Sequence, residues 1–388
     1  MLMIYLDYAA TTPMSEQALN TYTKVAREYY GNASSLHEEG SRAQQIVNAS
    51  KQVISQSLGA SARHLHFVSG ATEGNFLAIY SLLESVKKQD SSMNHILCSP
   101  IEHDSVLRVM KRLKVEGWAV EYLPLLADGR VCIDQLKERL TTSTALIAVQ
   151  LVNSELGTYE PVKEIAEIAR KMDIKVHCDA VQAFGKIPID VQALGVHSLS
   201  ISAHKIYGPQ GIGAVWLSPN VQWSGFFPSS SSKKFRPGTL AVPSIAAFAA
   251  AARETIDEMD AEFVRMQHLR DAWVKALHDM PNPPIIEGAE GTSHQSPYIL
   301  GLRFPGIEGQ YLMLKCDQAG VGISTGSACQ SGTDETNVSM KALGKSEQEA
   351  REFVRISFGK GHHVEEIPHI IEEIRTIVDR HYSRISTF

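Results

Sequence analysis

Three short clusters place reactive side chains directly after apolar, strand-like runs. The first is Ser69-Gly70-Ala71-Thr72-Glu73-Gly74-Asn75. Its small residues let backbone N–H groups approach an anion, and the positive end of a following helix adds to the attraction. Ala71 and Thr72 could therefore hold a phosphate; a plain tight turn with Thr72 as helix N-cap is the alternative. The second cluster, Asp179-Ala180-Val181-Gln182, stands at the carboxyl end of a predicted strand, where open α/β sheets bind ligands. A carboxylate there either holds a protonated ring nitrogen or caps a helix. The third, Ser202-Ala203-His204-Lys205, precedes the glycine-rich stretch Gly208-Pro209-Gln210-Gly211-Ile212-Gly213. A lysine at a buried strand end is costly unless it is paired or covalently used. Bonding to an aldehyde cofactor is one such use; an exposed loop lysine is the plainer reading. Phosphate turn, ring-nitrogen carboxylate and aldehyde-binding lysine, in that order, are the parts pyridoxal phosphate needs.

The chain has five cysteines, Cys98, Cys132, Cys178, Cys316 and Cys329. Their odd number, wide spacing and lack of any CxxC pair predict neither a zinc site nor a disulfide framework. The first seven residues lack a basic region followed by an apolar core, so no secretory signal is expected, and the chain reads as cytoplasmic. Four cysteines lie in or beside mainly apolar segments and read as buried and inert. Cys329 differs, because Ile323-Ser324-Thr325-Gly326-Ser327-Ala328-Cys329-Gln330-Ser331-Gly332 offers no apolar stripe to bury. An exposed loop is expected, carrying either an incidental surface thiol or a reactive one.

These clusters need a scaffold. Strands are predicted at 64–69, 95–99, 119–123, 145–152, 174–179, 198–202 and 213–217, with helices between them at 76–88, 104–116 and 162–171. Such alternation implies a mainly parallel sheet covered by helices on both faces. After Pro243 the pattern changes to one long helical stretch to about 280, then a strand at 298–304, a helix at 310–319, a strand at 352–358 and a helix at 364–381. This reads as a smaller α+β domain. With 388 residues, 44% hydrophobic and 21% charged, the composition is that of a globular enzyme. The net charge of −6 and the absence of a long basic run argue against nucleic acid or an anionic membrane as main partner. No apolar stretch approaches the roughly 20 residues of a membrane span.

Taken together, the motifs resemble the cysteine desulfurases, fold-type-I pyridoxal phosphate enzymes of the class-V aminotransferase family. The resemblance runs from Tyr5-Leu6-Asp7-Tyr8-Ala9-Ala10-Thr11-Thr12-Pro13 through Glu102-His103, Val152-Asn153, His177-Cys178-Asp179 and Ser202-Ala203-His204-Lys205. It ends at Arg236-Pro237-Gly238-Thr239, Gly326-Ser327-Ala328-Cys329 and Val354-Arg355-Ile356-Ser357. It implies a large α/β domain with a mostly parallel seven-stranded sheet over 15–254, and a small α+β domain from 1–14 and 255–388 carrying a cysteine loop at about 324–335. It also implies roles. Lys205 would hold the cofactor and move protons at the substrate Cα. His103 would stack on the ring and act in acid–base steps, Asp179 would pair with the ring nitrogen, and Gln182 would bond the ring hydroxyl. Thr72, Ser202 and His204, beside Ala71, would bind the phosphate, and Thr239 would reach it from the partner subunit of a homodimer. Asn153, at the cofactor, and Arg355 would bind the substrate carboxylate. Cys329 would accept sulfur from L-cysteine as a persulfide, in the NifS-like manner, and pass it to an acceptor protein: an iron–sulfur scaffold, a tRNA-thiolation enzyme or a dedicated iron–sulfur enzyme. A selenocysteine lyase, an aminotransferase or an idle scaffold are the rival functions. The chain departs from the family pattern at Ala33, Ser154, Glu160 and Gly359-Lys360-Gly361-His362-His363, the last expected to alter the small domain's surface and hence the acceptor.

Overall fold

The computed structural model describes residues 3–221, 223, 235–289, 291, 293–326 and 337–385. Eight strands precede residue 218: β1 (Ile4–Tyr5), β2 (Leu65–Val68), β3 (His95–Cys98), β4 (Ala119–Tyr122), β5 (Thr144–Gln150), β6 (Lys175–Asp179), β7 (Ser198–Ser202) and β8 (Gly213–Leu217). Seven of them form one sheet in the order β2-β8-β7-β6-β5-β3-β4. Strands β3 to β7 run parallel, and β8 is antiparallel to both β7 and β2. This is the expected seven-stranded sheet, with strand ends within two residues of those read from the sequence.

The sheet is buried on both faces, which is why its strands read as continuous apolar runs. All seven residues of β5 are buried. Successive side chains point to opposite faces. Ile147 and Val149 pack with the helices Glu16–Glu28, Glu38–Gln56, Val162–Arg170 and Val242–Asp257. Leu146 and Ala148 pack with the helices Ala71–Gln89 and Asp104–Val115. Each fully buried aliphatic side chain here contributes roughly 1.5–3 kcal/mol, so a charged residue at Val149 would break the layer.

The C-terminal part adds β9 (Ile285–Glu287), β10 (Ile299–Arg303), β11 (Val321–Gly322) and β12 (Phe353–Ser357). An antiparallel sheet β12-β10-β9 carries its own core, including Met266, Trp273, Leu300, Ile356 and Ile370. The start of the chain belongs to this second core: Leu6 and Ala9 pack in it, β1 pairs parallel with β11, and Asp7 bridges Ser357. No helix among the described residues is long and apolar enough to cross a membrane.

Two helices depart from expectation. The helix expected at 76–88 begins at Ala71, with Gly70 and not Thr72 as N-cap. The stretch expected as one helix over 243–280 is two, Val242–Asp257 and Met259–His278, meeting at Glu258.

Candidate active site

Gln150, Asp179 and Ser202 end β5, β6 and β7 and open on one cleft of about 480 Å³. This is the sheet edge where α/β proteins bind ligands, and the volume suits a small cofactor with its substrate.

One end of the cleft is built for an anion. The helix Ala71–Gln89 starts there, and Gly70, Ala71, Thr72 and Glu73 line the wall. The first amides of a helix have no intrahelical acceptor and carry the positive end of its dipole. Glu73 is turned away from them: it accepts from Ser69 N (2.6 Å) and from Arg236 Nε (2.9 Å). The turn depends on close packing, because a Cβ on Gly213 would lie 3.0 Å from the Gly70 backbone and 2.7 Å from Ile201 O. Ser202 Oγ is buried in this wall without a partner among the described residues. A buried hydroxyl with nothing to bond is an open seat for a ligand oxygen. His204 also lines the cleft; its Nδ1 lies 3.2 Å from Thr11 Oγ1, and burial with the neighbouring Lys205 charge pulls its imidazole down to about 4.

The middle of the cleft carries the carboxylate. Asp179 is 6% exposed; its Oδ1 accepts from Val181 N (3.0 Å) and its Oδ2 from Asn75 Nδ2 (2.7 Å). Asn75 is fully buried and also donates to Ser105 Oγ (2.9 Å), while its Oδ1 faces His177 Nε2 at 3.0 Å. Since the amide nitrogen serves Asp179 and Ser105, the amide oxygen must accept, and His177 carries its proton on Nε2. The His177 Nδ1 then accepts from Ser198 Oγ (2.8 Å), and burial keeps the ring neutral, pulling it down to about 3. Burial, and then Asp179, push the Glu102 carboxyl beside His103 well above the usual range, which favours its neutral form.

Lys205 follows β7, and its Nζ donates to Ala9 O (2.6 Å) and Ala10 O (2.5 Å). Gln182 Nε2 shares the first of these acceptors (2.9 Å). His103 also lines the cleft and caps the helix Asp104–Val115, its Nδ1 accepting from Ser105 N at 3.1 Å. That bond leaves Nε2 as the nitrogen able to trade protons. Burial lowers the His103 pKa, against the pull of Asp179, so a neutral base is favoured. Arg355, from β12, closes the cleft with Nη2 2.6 Å from Asp7 Oδ1 and Nη1 donating to Ser154 O (2.9 Å). Its Nε is buried without a partner among the described residues.

Most of the expected site thus converges: Ala71, Thr72, His103, Asp179, Gln182, Ser202, His204, Lys205 and Arg355 all line the cleft. Asn153 and Thr239 do not. Asn153 is 1% exposed, donating to Ile101 O (3.0 Å) and accepting from Glu155 N (2.8 Å) and Leu156 N (2.7 Å). Its side chain shapes the local turn next to Ser154, and its part in holding cofactor or substrate remains a proposal. Thr239 is exposed on this single chain. Cys329 lies outside the described residues, as does most of the expected loop at 324–335; its preceding Gly326 lines the cleft. The substitution at Ser154 costs Arg355 nothing, because the acceptor is a backbone oxygen. The segment 359–363 is not simply surface: His362 is 4% exposed and Lys360 Nζ reaches Glu254 (2.9 Å) and Glu258 (2.6 Å). Sequence reasoning missed Asn75, Ser105, Asp7 and the Ala9 and Ala10 carbonyls. Asn75 closes the first small-residue cluster and Asp7 lies in the stretch 5–13, but neither position showed what its side chain would hold.

The residues fit pyridoxal phosphate on three observations: an amide-lined helix start with an orphaned hydroxyl, a carboxylate held by donors, and an amine between two carbonyls. The family model for class-V aminotransferases matches residues 4–370. A Bacillus subtilis (strain 168) protein carrying the provisional name cysteine desulfurase NifS is 40% identical over 370 residues, 95% of this chain and 93% of that one. Cysteine desulfurase IscS of Dictyoglomus turgidum (strain DSM 6724 / Z-1310) is 34% identical over 382 residues, 96% of each chain. A solved structure titled NifS-like protein superposes with a TM-score of 0.89 at 29% identity, covering 97% of this chain and all of that one. The chain belongs to the class-V aminotransferase family, among the cysteine desulfurases of the NifS and IscS kind.

Proposed function

We propose that this protein takes sulfur from L-cysteine, releases L-alanine, and carries the sulfur as a persulfide on Cys329 for delivery to an acceptor protein. The observation that carries this reading is the position of Gly326. It lines the same cleft as Lys205, Asp179 and Arg355, and Cys329 follows three residues later, within about 10 Å of extended chain. The other cysteines are unsuited. Cys98, Cys178 and Cys316 are buried, and burial pushes each thiol up, Cys316 to about 12. A thiol attacks as thiolate, so these are inert. Cys132 is half-buried and does not line the cleft.

Pyridoxal phosphate, when bound, supplies the electron sink that lets the substrate Cα–H bond break. The protein does the rest. Ala71, Thr72, Ser202 and His204 hold the phosphate, Asp179 holds the ring nitrogen protonated, and Gln182 donates toward the ring oxygen. Arg355 grips the substrate carboxylate through its planar fork, taking it in place of Asp7. Lys205 Nζ removes and returns the Cα proton, and His103 Nε2 serves the remaining proton transfers. The Cys329 thiolate attacks the substrate sulfur; the S–Cβ bond breaks, the electron pair ends as a C–H bond of alanine, and no external oxidant is needed. The large unit spans 15–254 and the small one 1–14 with 255–388. In a homodimer, Thr239 reaches the phosphate of the partner subunit's site. The acceptor is an iron–sulfur scaffold, a tRNA-thiolation enzyme or a dedicated iron–sulfur enzyme, met in the cytoplasm.

The test is mass spectrometry of the Cys329 peptide after incubation with cysteine. A gain of one sulfur, about 32 Da, is expected in the wild type and not in Cys329→Ser, which should keep its cofactor. Sulfide and alanine released by Cys329→Ser at the wild-type rate would instead make the protein a lyase.

A further inference from the structure

Lys186 has no part in the chemistry above, yet it is 8% exposed. Burial, and then the charges of Lys205 and Arg355, both cations, pull its amine down to about 7. A buried amine facing like charge is costly. Its contacts are specific. Nζ donates to Gln182 Oε1 at 3.0 Å and lies 5.5 Å from the centroid of the Tyr298 ring. Gln182 lines the cleft; Lys186 lines a small space behind Lys205, with Tyr207, Glu258, Glu262, Tyr298 and Lys360 around it. His204 is the other titratable group that feels its charge.

An amide has a donor end and an acceptor end that differ little in shape. With Lys186 holding the oxygen of Gln182, the nitrogen must point the other way, and it does, donating to Ala9 O at 2.9 Å. The same carbonyl accepts Lys205 Nζ at 2.6 Å. A chain of contacts thus runs from Lys186 through Gln182 and Ala9 to Lys205. Were the amide reversed, its oxygen would face Ala9 O and the cofactor's ring oxygen, and both contacts would repel.

We infer that Lys186 is a positioning residue that acts through Gln182, fixing which end of that amide faces Lys205 and the ring oxygen of the bound cofactor. The inference rests on the pyridoxal phosphate reading of the cleft.

A pH titration of the holoenzyme's absorption tests it without turnover. Bound pyridoxal phosphate is yellow while the nitrogen it shares with Lys205 is protonated, and loses that colour as the proton leaves. A donor to the ring oxygen stabilises negative charge there and favours that loss, and a nearby cation acts in the same sense. Lys186→Met, of similar length and apolar against the Tyr298 ring, removes both influences, so the midpoint should rise by roughly one unit. Gln182→Ala should raise it too, and the double variant should shift by less than the sum of the two, the mark of one residue acting through the other. Lys186→Arg, which keeps a donor in reach, should stay nearer the wild type than Lys186→Met does. Lys186→Gln, uncharged and one atom shorter, is the second route should the Met variant not fold, and should shift the midpoint upward. An unmoved midpoint in Lys186→Met or Lys186→Gln, or strictly additive shifts in the double variant, overturns the inference while leaving the cleft reading intact. A wild type that stays colourless with pyridoxal phosphate removes both.

Discussion

Asn75→Ala isolates the residue that orients Asp179, the carboxylate proposed to hold the ring nitrogen. Asn75 is fully buried and gives up three bonds on truncation: to Asp179 Oδ2 at 2.7 Å, to Ser105 Oγ at 2.9 Å, and from His177 Nε2 at 3.0 Å. A bond to an ionised acceptor is worth about 1.5–3 kcal/mol and a neutral one about 0.5–1.5, so the gross loss is roughly 2.5–6 kcal/mol. A trapped water would restore part of it, leaving a stability loss of about 2–4 kcal/mol. His177 cannot compensate by charging, since burial holds its ring near 3. Only the Asp179 bond bears on the cofactor. Losing 1.5–3 kcal/mol of orientation there corresponds to about 10- to 160-fold in rate, at 1.36 kcal/mol per decade. The assay is alanine formation from cysteine with saturating pyridoxal phosphate, alongside thermal melting of the same preparation. A variant that turns over within threefold of wild type and melts at the same temperature would show that Asp179 is held by other groups.

Three further predictions follow from single contacts. Lys205→Ala should bind pyridoxal phosphate without yellow colour and form no alanine from cysteine; alanine production at a measurable rate would remove Lys205 from the proton path. Gly326→Ala places a Cβ 2.6 Å from Glu155 Oε1 on a residue at φ 78°, so the root of the Cys329 segment must shift. Its cofactor colour should be normal while persulfide on Cys329 falls about tenfold or more, an outcome that a normal mass-spectrometric yield would contradict. Glu160→Gln should stabilise the protein at alkaline pH. The Glu160 carboxyl accepts from Val131 N (2.9 Å), and burial pushes it up to about 8, so the folded state keeps a proton that the unfolded state gives up above about 4.5. That stability is present in acid and lost as the pH rises from about 4.5 to 8; the variant should therefore melt higher than wild type at pH 8, and a lower melting temperature there would refute the assignment.

The sheet was legible because its strands are buried on both faces, and continuous apolar runs such as 144–150 cannot be hidden. Asp179 and Lys205 were legible for a related reason: a charged residue directly after such a run stands at the ligand-binding edge. The first turn of the helix Ala71–Gln89 was not, because Gly, Thr and Asn are poor helix formers and periodicity begins only at Phe76. The break at Glu258 carries no glycine or proline to announce it. The local turn that Asn153 satisfies was not legible either, since bonds from a side chain to nearby backbone leave no spacing signal. The carbonyls holding Lys205 come from 195 and 196 residues away and, being backbone groups, have no sequence signal at all.

The first ten residues have a consequence for synthesis. Arg355 is paired to Asp7 across 348 positions, and Ser357 bonds Ala9 N at the same separation. At roughly 5–20 residues per second, a ribosome needs some tens of seconds to bridge that interval. Throughout it the nascent chain can form its central sheet, but Asp7 and Ala9 have no partner on β12. The cleft is therefore finished only once β12 has been made, and a chain carrying Lys205 but lacking β12 would be without Arg355, the residue proposed to hold the substrate carboxylate. Until then Lys205 and Asp179 stand on a formed sheet beside an incomplete cleft.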